Sequence, residues 1–391
     1  MHAALPSAAD SLSGLGAFDY QPRTRIVFGP DSLERVGELA RDLGGRRALL
    51  VTDRGIVAAG HAGRAVGFII AAGLQVEVYD GVHENPTTQD VARCVEAARQ
   101  ADADLLIGLG GGSSMDTAKG SNFLLSNGGA MRDYWGVGKA TKPMLPLIAI
   151  PTTAGTGSEC QCAALIADEA THQKMACLDV KALPRVAILD PLLTLSQPPG
   201  VTACTGVDAL AHALETAVTK KRTALSAAFS REAFCHCIAA LPTVLAAPND
   251  LKARASMQLG AAFSGMAIEN SMLGAAHAAA NPLTAHHGIA HGHAVGLMLP
   301  GVVRYNAGIL EARGHYEELA SAAGLGSVED LISHLVKILD LAKMWKPLSA
   351  FGVGRSQIPS LAEEAARQWT ATFNPRLIAA EDFAKLYEEL I

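Results

Sequence analysis

Short apolar segments alternate with helix-length amphipathic segments from residue 23 to about residue 195. Such short apolar segments are typical of strands that are buried on both faces. Strand followed by helix, repeated along the chain, predicts parallel strands joined by right-handed crossovers, and therefore a doubly wound α/β sheet covered by helices on both faces. The predicted strands are 47–52, 75–79, 105–109, 146–150 and 185–189, and the helices between them are 32–43, 55–72 and 88–101.

The pattern changes after Pro198 and Pro199, where strand-like segments disappear. We interpret the Pro-Pro-Gly stretch as a hinge, because proline interrupts regular backbone hydrogen bonding. We therefore expect a flexible N-terminal extension at 1–20, an α/β domain at 21–197 and an all-helical domain at 198–391, and the motifs described below make the first of these domains dinucleotide-binding and the second metal-binding. The helices predicted in the last part include 206–218, 224–241, 251–269 and 361–371.

Composition excludes several classes of partner. The 391 residues include 38 acidic and 32 basic side chains, a net charge of −6, with no block of like charge, so we expect neither nucleic acid nor an anionic membrane surface as a partner. No run of about 18 apolar residues occurs, and no Lys or Arg precedes Arg23, so we predict neither a membrane span nor a secretory signal. Seven cysteines without a CxxC pair indicate reduced, mostly buried thiols and a cytoplasmic location.

Two polar turns follow neighbouring predicted strands. The strand 105–109 runs into Gly110-Gly111-Gly112-Ser113, where glycines allow close backbone approach and the next helix offers unpaired N–H groups, which together make an anion cradle. The pattern matches the dinucleotide fingerprint only loosely, and the alternative is a tight strand-to-helix turn. A second turn, 151–159, carries Thr152, Thr153 and Thr156. Two such turns at one sheet edge favour a bound nucleotide.

Asp53 follows the first predicted strand. An acidic residue at this point can accept hydrogen bonds from an adenosine ribose and repels a 2′-phosphate, which favours NAD over NADP. The alternative interpretation is a helix N-cap for the segment that starts near Gly55.

A third set of residues has the spacing of metal ligands. Asp208 and His212 lie four residues apart, on one face of a predicted helix, and together can bind one divalent ion. His277 and the His291-Gly292-His293 segment add imidazoles in an apolar context. One carboxylate with two or three imidazoles suits Fe²⁺ or Zn²⁺ better than Mg²⁺. Taken alone, an Asp/His pair at this spacing is more often a helix-surface hydrogen bond, and His286-His287 a solvated turn.

With these motifs in this order, the sequence resembles the iron-containing, or group III, alcohol dehydrogenase family over nearly the whole chain after the N-terminal extension. The matching motifs are Asp53, Asn85-Pro86-Thr87, Gly110 to Ser113 with Asp116 and Lys119, Pro151-Thr152-Thr153 to Glu159, Lys174, Gly206-x-Asp208-x-x-x-His212, His277, His291-Gly292 and Asn374-Pro375-Arg376. The resemblance implies a Rossmann-like N-terminal domain followed by a helical C-terminal domain, the fold shared with dehydroquinate synthases.

The resemblance also implies the site residues. The metal, Fe²⁺ or Zn²⁺, would be bound by Asp208, His212, His277 and His291, and these four act in catalysis through the metal. The glycine-rich loop would hold the pyrophosphate of NAD(H), the threonines would flank it, and Lys174 would lie near the nicotinamide ribose. The implied cofactor-binding residues are Asp53, Asn85, Gly110, Gly111, Gly112, Ser113, Asp116, Thr152, Thr153, Thr156 and Lys174.

The implied activity is hydride transfer between NAD(H) and a small primary alcohol or its aldehyde, with the metal polarising the substrate oxygen, in a homodimer or larger homo-oligomer. Alternatives with the same architecture are a polyol oxidoreductase like glycerol dehydrogenase, a sugar-phosphate cyclase and a maleylacetate reductase. A non-catalytic NAD-binding sensor is an alternative from another class. The Asp208-x-x-x-His212 spacing favours the alcohol dehydrogenase branch, and four competent ligand side chains argue against the sensor.

The sequence departs from the family at Asn281, where many members have histidine four residues after the third ligand. An amide cannot titrate as an acid or base. We therefore expect the proton to move through ribose hydroxyls and water, or through His286 or His287.

Overall fold

The computed structural model describes residues 17–170 and 173–391, which contain nine strands and fourteen α-helices. The strands are β1 (Arg25–Phe28), β2 (Arg47–Val51), β3 (Gln75–Tyr79), β4 (Leu105–Gly110), β5 (Gly136–Val137), β6 (Leu147–Pro151), β7 (Ala163–Ala167), β8 (Lys174–Leu178) and β9 (Val186–Leu189). The helices are α1 (Val36–Asp42), α2 (Arg54–Ala58), α3 (His61–Ala71), α4 (Thr88–Gln100), α5 (Gly112–Asn127), α6 (Pro199–Val218), α7 (Ala224–Ala246), α8 (Leu251–Glu269), α9 (Ala275–His287), α10 (His291–Asn306), α11 (Leu310–Ala322), α12 (Val328–Leu341), α13 (Ile358–Arg367) and α14 (Ala380–Glu388).

Six strands form a parallel sheet in the order β1-β9-β6-β4-β2-β3. Successive residues of β2 belong to different cores: Leu50 packs in one with Ile107 and Ile69, and Leu49 in the other with Cys94. The sheet is therefore covered on both faces, and the predicted doubly wound architecture is confirmed. The five predicted strands agree with the structure to within one residue at each end.

The sequence does not predict four strands of the described chain, namely β1 and the three strands of a second sheet, ordered β5-β8-β7. β7 and β8 pair antiparallel, with Ala164 opposite Cys177. Three of the five residues of β7 are alanine, and β8 contains alanine and lysine; both residue types are depleted in strands, so composition does not reveal these strands.

Two predictions about helices are wrong in detail. The single helix predicted at 55–72 is two helices, because Gly60 adopts the left-handed conformation (φ 82°) between them. The Pro-Pro-Gly stretch includes the first residue of α6, Pro199, so this helix begins seven residues before the predicted 206–218, and a hinge here stays a prediction. Proline suits the first turn of a helix because its missing N–H would have no partner there.

The chain forms two compact units. One consists of Pro22–Ala209 and Ala239–Gly265 and holds both sheets, and the other contains Leu210–Ile238 and Met266–Ile391. The division falls inside α6, which continues without interruption from one unit into the other. The region after residue 198 is helical, as predicted, while domain boundaries at 20/21 and 197/198 stay a prediction.

Most of the predicted N-terminal extension, residues 1–16, lies outside the described residues. Within its described end, Tyr20 packs edge-on against Phe229, with ring centroids 6.1 Å apart. Among the described residues, no helix combines the length and the apolar character that crossing a bilayer requires.

Candidate active site

The glycine-rich loop joins β4 directly to α5. Gly110 has φ 149°, and the N-cap of α5 is Gly111, which has no side chain to cap the first N–H groups. A Cβ atom at Gly110 would lie 2.4 Å from Ser114 Oγ, and one at Gly112 would lie 2.9 Å from Thr156 Cγ2. The loop therefore requires glycine, and it offers the backbone N–H groups of a helix N-terminus to an anion.

The threonine-rich turn lies beside this loop, because β4 and β6 are neighbours with Gly110 opposite Pro151. Thr152 N donates a hydrogen bond to Gly110 O at 2.9 Å, and a Cβ atom at Gly111 would lie 3.5 Å from Thr153 Cγ2. The structure thus brings the predicted glycine and threonine residues together at one sheet edge.

Asp53 caps helix α2 and also lies beside the glycine-rich loop. Its Oδ1 accepts a hydrogen bond from Ile56 N at 3.0 Å and caps α2, which confirms the alternative interpretation. Its Oδ2 faces the glycine-rich loop, since a Cβ atom at Gly110 would lie 3.4 Å away. A half-buried carboxylate therefore borders the anion cradle.

Asp116 is engaged by protein groups. Ser158 Oγ donates to Asp116 Oδ1 at 2.8 Å, and Leu165 N donates to Oδ2 at 3.3 Å. Lys119, fully buried, donates to Ser158 O (2.6 Å), Ser158 Oγ (2.8 Å) and Ala163 O (3.0 Å). Burial raises the pKa of Asp116, and Lys119 opposes that shift. These contacts bind α5 to the threonine-rich turn, while a contact of Asp116 with the cofactor stays a prediction.

Lys174 is the first residue of β8 and is accessible to solvent. Desolvation by the surrounding protein lowers the pKa of its ammonium group, and the carboxylates of Asp116 and Asp208 act in the opposite direction. Asn85 is exposed in the loop before α4, with φ 53°, next to Pro86, whose carbonyl accepts from Ala167 N.

Three of the four predicted metal ligands form one cluster. Asp208 on α6, His277 on α9 and His291 on α10 have donor atoms that all lie within 4.8 Å of one another. Asp208 and His277 are buried, and His291 is half-buried. The fourth, His212, lies one turn after Asp208 on α6, and its ring stacks on that of His277 with centroids 4.8 Å apart. One carboxylate with imidazoles in this arrangement fits Fe²⁺ or Zn²⁺.

Glu215, which the sequence does not predict as a site residue, contacts one of the proposed metal ligands, His277. Its Oε2 lies 2.5 Å from His277 Nδ1. The signal was available in the sequence, since Glu215 follows Asp208 and His212 on the same helix face at i+7 and i+3.

Two further histidines named by the sequence pattern, His293 and His286, have other partners. His293 Nε2 bonds Met344 O at 2.6 Å, and its ring packs edge-on against Phe351. His286 pairs with Glu364 at the surface (2.6 Å), nine residues beyond His277 on α9, about 14 Å by helical rise. That distance does not support His286 as a proton relay. Asn281, one turn after His277, donates to Gln368 Oε1 at 3.0 Å.

Comparison with known proteins gives consistent matches over most of the described chain. The model of the family described as iron-containing alcohol dehydrogenase matches residues 22–191, and the C-terminal model of the Fe-containing alcohol dehydrogenase family matches residues 202–391. The 1,3-propanediol dehydrogenase of Klebsiella pneumoniae is 32% identical over 382 residues, covering 95% of this chain and 98% of that protein. The NAD-dependent methanol dehydrogenase of Bacillus methanolicus is 33% identical and covers 93% and 97%.

A solved structure resembles this chain in fold over nearly its whole length. The sulfoacetaldehyde reductase from Bifidobacterium kashiwanohense, in complex with NAD⁺, superimposes with a TM-score of 0.88 and 29% identity, covering 96% of this chain and 99% of that one.

Proposed function

The chain belongs to the iron-containing alcohol dehydrogenase family, and on that basis we propose that it transfers a hydride between NAD(H) and a small primary alcohol or its aldehyde with the help of a bound divalent metal ion. It is an alcohol or aldehyde oxidoreductase, and a nicotinamide cofactor and a metal fit the family. The observation that carries the proposal is the cluster of Asp208, His277 and His291 donor atoms within 4.8 Å of one another.

The donor set fits the proposed metal. One buried carboxylate leaves a divalent ion with net positive charge, and imidazoles add coordination without cancelling it, so the centre attracts an oxygen that gains negative charge. When bound, the metal supplies a Lewis acid for the substrate oxygen, and the nicotinamide accepts or gives the hydride. We include His212 as a fourth ligand because it shares a helix face with Asp208 and stacks on His277.

The residues of the sheet edge would bind the cofactor. The first N–H groups of α5 would receive the pyrophosphate, since glycine at 110–112 allows a ligand to approach the backbone. Asp53, beside this loop, would accept hydrogen bonds from the adenosine ribose and disfavour a 2′-phosphate. Lys174, at the start of β8, would lie near the nicotinamide ribose, and the nearby carboxylates of Asp116 and Asp208 keep its ammonium group close to this region.

Substrate class, assembly and location complete the proposal. The relatives are named for 1,3-propanediol and methanol, which supports short alcohols and their aldehydes as substrates. We further propose a cytoplasmic homo-oligomer, a dimer or larger, that uses NAD(H) in preference to NADP(H).

The test begins with metal analysis of protein purified without oxygen. We expect about one Fe²⁺ or Zn²⁺ per chain, because one cluster of ligands forms one site. NADH oxidation is then followed with a panel of short aldehydes before chelation, after chelation and after return of Fe²⁺ or Zn²⁺. Chelation should abolish turnover, metal should restore it, and NADH affinity should change little, because most of the proposed cofactor-binding residues lie at the sheet edge.

Normal turnover by a fully metal-free sample would show the proposal to be wrong. Retained NADH binding with neither metal nor turnover would point to the non-catalytic sensor instead.

A further inference from the structure

We propose that Glu215 is a positioning residue that presents His277 to the metal in a single tautomer and orientation. The inference rests on the proposed metal centre, and it assigns to this centre a carboxylate that does not itself bind the metal. Glu215 lies on α6, seven residues after Asp208, so both side chains point to the same side of the helix.

The Glu215 carboxylate contacts one short segment of α9 through both of its oxygens. Oε2 lies 2.5 Å from His277 Nδ1, and Oε1 accepts a hydrogen bond from Ala276 N at 2.6 Å. The side chains of Glu215 and His277 are 3% and 5% exposed, so water does not compete for these bonds. Two bonds to adjacent residues fix the carboxylate, and through it the imidazole ring.

This contact determines which ring nitrogen is left for the metal. A carboxylate accepts hydrogen bonds and donates none, so the bond to Glu215 requires the proton on His277 Nδ1. In the neutral imidazole, Nε2 then has the lone pair that a metal needs. The partner carboxylate also makes the ring a stronger ligand, because it stabilises positive charge on the imidazole.

Helix α9 needs this carboxylate for a second reason. Its N-cap is Gly274, which has no side chain, and a Cβ atom there would lie 3.2 Å from Glu215 Oε1. Remote side chains bond the first N–H groups instead: Ala275 N donates to Asn374 Oδ1 at 3.3 Å, and Ala276 N to Glu215. Asn374 is in turn held by Asn306. The Glu215 carboxylate therefore lies at the N-terminus of α9, where it replaces the missing cap of the first turn.

The decisive variant is Glu215→Gln, which keeps the shape and exchanges one acceptor oxygen for an NH₂ donor. Whichever way the amide turns, its NH₂ group faces either Ala276 N–H or His277 Nδ1–H. If the NH₂ group faces His277, the ring must move or carry its proton on Nε2, where it blocks the metal. If it faces Ala276, two N–H donors meet there, and the first turn of α9, which carries His277, is displaced. We expect a 10- to 100-fold weaker affinity for Co²⁺, used as the probe and measured by equilibrium dialysis with the full chain. The visible absorption of bound Co²⁺ should change as well, since it reports the ligand set.

The matched control is Glu364→Gln, because Glu364 forms a carboxylate–histidine pair of similar length with His286, on the exposed part of the same helix. We expect this control to bind Co²⁺ like the unaltered protein. A merely structural role of Glu215 would lower the melting temperature equally with and without metal. A positioning role reduces the rise in melting temperature that Co²⁺ produces.

The outcomes separate this inference from the proposed function. If the unaltered protein binds no metal, the proposed function fails; if it binds one metal per chain and Glu215→Gln binds Co²⁺ as tightly with the same spectrum, only the role of Glu215 is overturned. Should Glu215→Gln not fold, Glu215→Asp carries the test, because its carboxylate is one methylene too short to reach both donors. Unchanged Co²⁺ affinity in that variant would equally contradict the inference.

Discussion

Glu159 is a buried carboxylic acid, 2% exposed, at the end of the threonine-rich turn. Burial raises the pKa of its side chain from 4.5 to about 7, and Lys119 opposes this shift. Between pH 4.5 and about 7 the unfolded chain has lost this proton while the folded chain still holds it. The contribution of Glu159 to the free energy of unfolding therefore falls as pH rises through this window, and is constant above it.

Replacing Glu159 with Gln removes this pH dependence. We expect urea unfolding of Glu159→Gln to depend less steeply on pH between 4.5 and 7, and the variant to be more stable than the unaltered protein at pH 8 by up to about 3 kcal/mol. Glu77→Gln, on an exposed position of β3, is the control and should follow the unaltered protein. An identical pH slope in Glu159→Gln and the unaltered protein would contradict the buried-acid interpretation.

Site residues were predictable from the sequence where residue type and spacing along one helix were enough to place their side chains on the same face. Asp208 and His212 lie a helical turn apart, so their shared face follows from periodicity alone. Glu215 follows the same periodicity, but its partner His277 lies 62 residues away, and no local pattern joins them. Asn374 is still harder to assign, because its contact with Ala275 spans 99 residues.

At the scale of elements, α8 touches the threonine-rich turn through two glycines. A Cβ atom at Gly265 would lie 2.3 Å from Gly157 O, and one at Gly157 would lie 2.6 Å from Gly265 Cα. Gly157 also has φ 61°, which disfavours any other residue. Helix and turn therefore pack backbone against backbone, and the position of the turn depends on this contact.

Gly265→Ala should displace the turn. We expect the free energy of unfolding to fall by about 1–3 kcal/mol, as in overpacked cores, and NADH to bind more weakly in fluorescence titration, because the turn borders the glycine-rich loop. Gly314→Ala is the matched control: Gly314 is also inside a helix, α11, but a Cβ atom there meets nothing within 4 Å. That variant should gain up to about 1 kcal/mol from helix propensity. Equal effects of the two substitutions would contradict the close contact.

Helices and strands with a clear hydrophobic pattern were predicted well, and those without such a pattern were not. The buried strands of the parallel sheet are apolar on both faces, so β4 and β6 stand out in the sequence. β8 starts at Lys174 and pairs with β7, the strand that precedes it in the sequence. Neither segment has a composition that is typical of strands. The break at Gly60 depends on a left-handed backbone conformation, which glycine permits but does not require.

At the scale of the whole molecule, the proposed ligands join three helices. Asp208 lies on α6, His277 on α9 and His291 on α10, so one ion would tie together segments from distant parts of the chain. Ligand binding to the folded state raises stability by mass action, by about 2.7 kcal/mol at a concentration 100 times the dissociation constant.

Hydrogen exchange can locate this stabilisation. We expect addition of Fe²⁺ or Zn²⁺ to slow amide exchange in α6, α9 and α10, because the metal links these helices directly. Helix α12 carries none of the ligands and serves as the internal reference. Uniform slowing across all helices, or slowing that leaves α9 unaffected, would contradict binding at this cluster.

The first turn of α9 also sets the order in which the enzyme can be assembled during synthesis. Its N–H groups need Glu215, made 61 residues earlier, and Asn374, made 99 residues later. At about 5–20 residues per second, a ribosome needs roughly 5–20 s to go from Ala275 to Asn374. Asp208 and His212 are made before that interval and His277 and His291 early in it, so all four proposed ligands are present while the turn that orients His277 is still incomplete. A nascent chain therefore completes this turn, and with it the proposed metal-binding geometry, only after Asn374 has been made, and metal delivered earlier would meet an unassembled site.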